Sequence, residues 1–434
     1  MTSRYVLELS GTPHIRRLRG VAGLSLALLL AGPSVAQVLP IGDDFQVNTG
    51  TTGYQFYPQI AAQPDGAFVV AWCCGSTANG GTVAGQRFGS DGATIGPEMV
   101  LSTLDPRRTG GLASDAEGNF VVVWGQGYSG PGSGEPSEIY ARRFEADGSP
   151  LGGEFVVNTD PGGEYTGTGD VAVRPDGSFV VVFENYGGFG QRYDTSGSPL
   201  GGNFAVAPAP ELGEDPVVAA RASGGTIVVW EELGPDPRLR GQRFAADGSR
   251  TGSPFTVAGP TAPGGNASVA AQPDGSFVVA WTSGNFQTGG FDVRARRFSA
   301  NGEPLAPSFV VHQQQTGSQY DPDLAVDESG GFVVAWTDTG LDATTFWEVF
   351  ARRFDADGRP LGGEFQVNSY TSGAQRHASL RPIVGDELVV VWDSSESAGP
   401  DTSGASVQGR RFLLPFFIDG FESGDTSAWS SASP

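Results

Sequence analysis

Three carboxylates, Glu184, Glu231 and Asp338, stand one or two residues beyond apolar runs that each end in an aromatic ring. Two such groups held roughly 5–10 Å apart across a sugar ring can divide acid and base work in glycosidic bond cleavage. They are therefore the candidate catalytic residues if the chain is an enzyme. A second set interleaves rings with acids: Tyr57, Tyr128, Tyr186, Tyr320 and Trp347 beside Glu232, Asp321 and Asp393. Aromatic faces stack on the apolar faces of sugars and carboxylates take their hydroxyls; the same residue types also anchor protein partners. These eight are the candidate ligand-binding residues, and Tyr54, Tyr165, Tyr370 and Phe286 fall in the same kind of segment.

Other chemistries find less support. Beyond the first 36 residues the histidines are His312 and His377, and their spacing matches no local zinc motif. No Gly-x-Ser-x-Gly elbow, phosphate-cradling loop or sialidase-type Asp box occurs, and Trp392-Asp393 is a single Trp-Asp pair rather than an array. The run Asp355-Ala356-Asp357-Gly358 invites a calcium reading. Calcium loops alternate several oxygen ligands and close on a bidentate carboxylate, which is missing here, whereas hairpin chemistry explains the Asp-Gly pair. No metal site and no cofactor are expected, calcium being the one cation left open. Cys73 and Cys74 are adjacent, so no spaced cysteine pair staples the fold.

Composition narrows the class of partner. Formal net charge is −22, and every one of the 26 basic residues is arginine. Phosphate recognition needs concentrated positive charge, so a nucleic-acid partner is not expected. Arg16, Arg17 and Arg19 precede an apolar stretch over residues 21–31, and Ser34-Val35-Ala36 offers small residues for cleavage. That is the layout of a secretory signal peptide over residues 1–36, too short for a permanent span, with Gln37 as the mature start. The expectation is an exported monomer, secreted, surface-bound or periplasmic, with no inserted membrane segment.

The elements that must position these residues are a repeat. An apolar run ends at Trp72, Trp124, Phe183, Trp230, Trp281, Trp336 and Trp392. Each is followed by an arginine directly before a ring: Arg87, Arg143, Arg192, Arg243, Arg297, Arg353 and Arg411. A period of about fifty residues marks a supersecondary unit that buries its faces only by stacking. Residues 323–326, 331–336, 349–354 and 364–368 read as four strands, with Asp357-Gly358 as a hairpin turn. Four antiparallel strands per repeat make a β-propeller blade. The expected fold is all-β, a seven-bladed propeller over residues 37–412 with a tail over 413–434.

The ends predict a closed ring. A fourth-strand segment, Phe45-Gln46-Val47-Asn48, precedes any complete repeat, and the last repeat stops at Phe412 without one. Pairing the two removes the open edge that a linear stack would expose. Groups present in every repeat serve structure, so the seven terminal rings should pack between sheets and the seven arginines should bond carboxylates or carbonyls at blade edges. Turns after first and third strands are short and alike; connections after second and fourth strands are long and varied. Uniformity on one face and variety on the other suit a scaffold carrying a recognition surface.

The strings Phe332-Val333-Val334-Ala335-Trp336, Arg353-Phe354-Asp355-Ala356-Asp357-Gly358 and Phe365-Gln366-Val367-Asn368 resemble repeats of bacterial secreted and surface proteins, some attached to calcium-binding adhesin-type chains. The resemblance covers nearly all of residues 45–412 and implies a repeat rather than an activity. The ending over residues 419–430, Asp-Gly-Phe-Glu-Ser-Gly-Asp-Thr-Ser-Ala-Trp-Ser, is similar to a C-terminal segment of exported proteobacterial proteins and implies a Gram-negative source. The expected function is non-catalytic binding of a glycan or protein by the variable face. The alternatives are a glycoside hydrolase or polysaccharide lyase on the same scaffold, and a structural or adhesive surface module.

Overall fold

A computed structural model describes residues 38–414 except 52, 74–80, 105, 127–137, 160–168, 186, 209–212, 260–263, 285–289, 315, 341–346, 397–400 and 402–403. The signal-peptide segment, Tyr128, Tyr165, Tyr186, Phe286 and the tail from 415 lie outside the described residues. Seven four-stranded antiparallel sheets form, with no helix among the described residues. Six blades are continuous in sequence, over residues 56–100, 106–156, 170–205, 213–258, 264–310 and 319–366. The seventh joins residues 375–413 to the strand Leu39–Gln46.

That last sheet is the predicted closure. Leu39 pairs with Leu413, Pro40 with Phe412, Phe45 with Gly409 and Gln46 with Gln408. First strands of successive blades contact one another all the way round, blade 7 meeting blade 1. They line the axial channel, and second, third and fourth strands follow outward.

Each second strand is apolar on both faces because both are covered. Phe68–Cys73 and Phe332–Asp338 are buried at every position. Seven hydrophobic clusters result, one for each seam between blades. Trp281 packs on Ile227 and Val229 of the preceding blade, and Trp72 on Val389 and Val391 across the closing seam. In five repeats the second ring stacks on a ring that opens the same second strand, as in Phe68–Phe88 at 4.9 Å and Phe332–Phe354 at 5.0 Å.

The repeat arginines staple neighbours at the rim. Arg87 donates to the carbonyl of Asp147 at 2.8 Å, Arg243 to that of Ala300 at 3.2 Å and Arg297 to that of Asp357 at 2.6 Å, each in the next blade's hairpin turn. Arg411 reaches the carbonyl of Ser90 at 2.7 Å and so binds the last blade to the first. Arg353 pairs instead with Asp327 of its own blade at 3.4 Å. Its next blade takes its fourth strand from the N-terminal segment and has no such turn to offer.

Two details differ from the sequence expectation. First strands begin earlier, so that of blade 6 spans Gln319–Val326 rather than 323–326. Fourth strands of blades 2, 3, 5 and 6 shrink to two paired residues, such as Phe365–Gln366. The earlier start has one cause in six blades: a bulge interrupts the first strand, and pairing resumes upstream of it, as between Tyr320 and Asp323 or Arg376 and Ser379.

Candidate functional site

The bulges build the site. A residue fifteen positions before the terminal ring of its repeat sits in five of them, Tyr57, Asp215, Asn266, Asp321 and His377, and Thr109 borders the sixth, paired with Trp124. Five of these hold positive φ, from 44° at Asp215 to 54° at Tyr57. A left-handed backbone at a non-glycine residue costs on the order of 1 kcal/mol or more and persists where its surroundings enforce it. The bulges lie near the starts of the innermost strands, hence at the channel mouth on the variable face. A common backbone distortion there presents a different side chain from each blade.

In four blades the residue after the terminal ring secures the bulge of the following blade. Glu231 Oε1 accepts the backbone N–H of Asn266 at 3.1 Å, Thr282 Oγ1 that of Asp321 at 3.2 Å, and Asp393 Oδ1 that of Tyr57 at 3.3 Å. Glu184 takes the backbone N–H of Asp215 in the same way. Two of the candidate acids, Glu184 and Glu231, therefore occupy equivalent positions in adjacent blades. Thr282 does the same work without a charge, so the carboxylates exceed what the bulge requires.

The excess is costly. Burial pushes the Glu231 carboxyl up to about 7, with repulsion from Asp215, Glu214 and Glu184 adding to it. Burial likewise pushes Glu184 up to about 7, reinforced by Asp215 and Glu214. Asp215 is raised by burial, with Arg108 offsetting part of the effect. Perturbed acids gathered in a cleft mark functional positions more often than structural ones.

Asp393 and His377 form a second unit at the mouth. Asp393 is fully buried, and its Oδ1 lies 2.6 Å from His377 Nδ1. His377 Nε2 lies 3.8 Å from Asp321 Oδ2, and its ring packs 4.5 Å from that of Tyr57. The Arg108 guanidinium covers the Tyr57 ring at 4.4 Å, and Arg376 Nε approaches Asp393 Oδ2 at 3.7 Å. Asn266 Nδ2 donates to Asp321 Oδ1.

Two connected depressions open here. One of about 240 Å³ lies over the mouth, between Arg108, Thr109, Asp170 and His377. The other, of about 500 Å³, extends outward over blades 4 to 6, and the two share Asp215, Asn266 and Asp321. An aromatic wall bounds the larger one: Tyr320 lies 5.0 Å from Phe291 and 6.3 Å from Trp347, whose side chain is 38% exposed. Asp215, Glu231, Glu232 and Asp321 also line it. A mainly apolar depression of this size with convergent acids falls within the range of small-molecule sites.

The candidates thus divide. Glu231, Glu232, Tyr320, Asp321 and Trp347 line the larger depression; Tyr57 and Asp393 stand at the mouth, and Glu184 beneath Asp215. Glu232 is paired with Arg240 at 3.3 Å. Asp338 stands two residues after its ring instead of one, which turns it to the other face of its strand; it accepts from Gln319 Nε2 at 3.1 Å and Gly340 N at 2.7 Å. His312 is buried, 3.3 Å from Asp292. His377 belongs to the strand Gln375–Ile383 and not to the connection before it.

Sequence reasoning missed Asp215, Asn266, His377, Arg108 and Phe291. The constant fifteen-residue offset was the signal for the first three, reinforced by proline directly after Tyr57, Asp215 and Asp321. Proline lacks an N–H, so within a strand it marks an edge or a bulge. Cys73 is disulfide-bonded, and the chain's only other cysteine is Cys74. Among the described residues no group of three or more His, Cys, Asp and Glu could hold a metal ion, and no helix is long and apolar enough to cross a membrane.

No protein-family model matches the sequence, and no curated protein matches it. Solved structures do match. A protein of unknown function from Dyadobacter fermentans aligns with a TM-score of 0.55 at 12% identity, over 87% of this chain and 99% of its own. A fungal alcohol oxidase in complex with copper gives 0.53 at 13% identity, over 88% and 77%. An α-L-arabinofuranosidase of Fusarium graminearum in complex with an iminosugar inhibitor gives 0.50 at 13% identity, over 86% and 98%. At these identities the likeness is one of fold.

Proposed function

We propose that this chain is an exported binding protein whose variable face takes a saccharide in the depression between Trp347 and the mouth carboxylates. One observation carries the reading: an aromatic wall and an acidic wall meet in a cavity of about 500 Å³ on the face where the repeat stops repeating. Rings stack on sugar faces, and Asp215, Asn266 and Asp321 present acceptors and a donor for hydroxyls. A glycan array probed with residues 37–434 tests it, with Trp347→Ala as the control. Selective binding that the variant loses supports the proposal; a protein that ignores all glycans removes it and favours a protein partner.

A second reading, glycoside hydrolysis, is favoured by the Glu231 carboxyl, raised to about 7 beside Asp215. A carboxyl that holds its proton toward neutrality beside a second carboxyl is one half of the acid–base pair that glycosidic cleavage needs. The arabinofuranosidase of like fold is compatible with this and lends no residue to it. Release of new reducing ends from a bound oligosaccharide, lost in Glu231→Gln while binding persists, would establish hydrolysis. Export is tested by N-terminal sequencing of the secreted protein, with Gln37 expected first.

A further inference from the structure

The charge of the larger depression is one-sided. Four carboxylates line it against a single guanidinium, that of Arg238. Glu232 is neutralised by Arg240, while Asp215 and Glu231 make no ion pair among the described residues. The fold does not demand this surplus, because Thr282 secures the bulge of its neighbour with a hydroxyl where Glu231 uses an acid. The facing wall is also suited to a cation. Aromatic π faces attract positive charge, and Trp347 already carries the Arg376 guanidinium at 5.2 Å. A third observation is independent of charge. Thr109, 2% exposed, lines the adjoining mouth, and its Oγ1 has no hydrogen-bond partner among the described residues.

We propose that the saccharide bound here carries a protonated amine, with its ring against Trp347, its ammonium among Asp215, Glu231 and Asp321, and a hydroxyl at Thr109. This rests on the saccharide-binding reading above and narrows it to an amino sugar with a free amine. An N-acetyl group would replace the ammonium by a neutral amide and leave the acids unpaired. A uronate would bring like charge against them. An ammonium would draw the Glu231 carboxyl back toward the ordinary carboxylate range.

Titration calorimetry of residues 37–434 at pH 7 with three tetrasaccharides of glucosamine, N-acetylglucosamine and glucose separates the outcomes. The expected result is glucosamine binding about tenfold tighter than either neutral oligomer, one charge-assisted contact's worth of affinity. Asp215→Asn and Glu231→Gln should abolish that preference, and Trp347→Ala should weaken all three. Glu231→Gln retains an acceptor for Asn266, so loss of preference there is not loss of fold. Equal binding of the three overturns the amine while the saccharide reading stands. Preference for a neutral or acidic glycan does the same, and no binding of any glycan overturns both.

Discussion

Glu231 accepts the backbone N–H of Asn266 at 3.1 Å across the seam between the fourth and fifth blades. The contact ties the chemistry of the site to its architecture. A repeat position that must supply only an acceptor supplies an acid, and the strained residue it holds lines the larger depression. Replacing Glu231 should therefore separate two roles. Glu231→Gln should keep the fold's stability at neutral pH or raise it, while Glu231→Ala should lose about 1 kcal/mol through the missing hydrogen bond. Urea denaturation at pH 7 distinguishes them; equal losses would mean that the charge, and not the acceptor, holds the bulge.

The raised acids fix the sign of a pH dependence. Glu184 and Glu231 rise from 4.5 to about 7 on folding, so the folded protein holds these protons more tightly than the unfolded chain. Stability from this pair is complete below about pH 4.5, declines as pH rises to about 7, and is level above. The Glu184→Gln, Glu231→Gln double variant lacks this decline. Its melting temperature should match the wild type near pH 4 and exceed it above pH 7. A gap that closes with rising pH would contradict the assignment.

Ring closure has its own test. The strand Leu39–Gln46 pairs with the outermost continuous strand of blade 7, and the adjacent Val47 is fully buried in the closing seam with Trp72 and Val391. Deleting residues 37–49 should remove several kcal/mol, on the scale of losing large core side chains, and leave an open edge that aggregates. An unchanged melting temperature would show that the ring does not depend on this strand.

Trp281 is 1% exposed and fills the seam between blades 4 and 5 against Ile227 and Val229. Trp281→Ala should cost about 3–5 kcal/mol in calorimetry, as large aromatic core losses do. A much smaller loss would mean that the blades pack less tightly than the seven clusters imply.

The architecture was legible because it repeats. Trp72 and Trp392 announce the same burial environment 320 residues apart, and the orphan segment at Phe45 announced closure. The site was legible only in part, because it is written where the repeat varies. Glu231, Tyr320, Asp321 and Trp347 were found as varied residues on the variable face. Asp215, Asn266 and His377 were not, because their shared property is backbone geometry, a positive φ at a bulge, and no residue type encodes it across Tyr, Asp, Asn and His. Asp338 illustrates the converse: one residue of offset along a strand turns a carboxylate to the other face.

The most direct measurement is an X-ray structure of the protein soaked with the oligosaccharide it binds best. The account predicts density for a sugar ring against Trp347, with polar substituents reaching Asp215 and Asp321. Density on another face, or at the variable face but away from those residues, would contradict it.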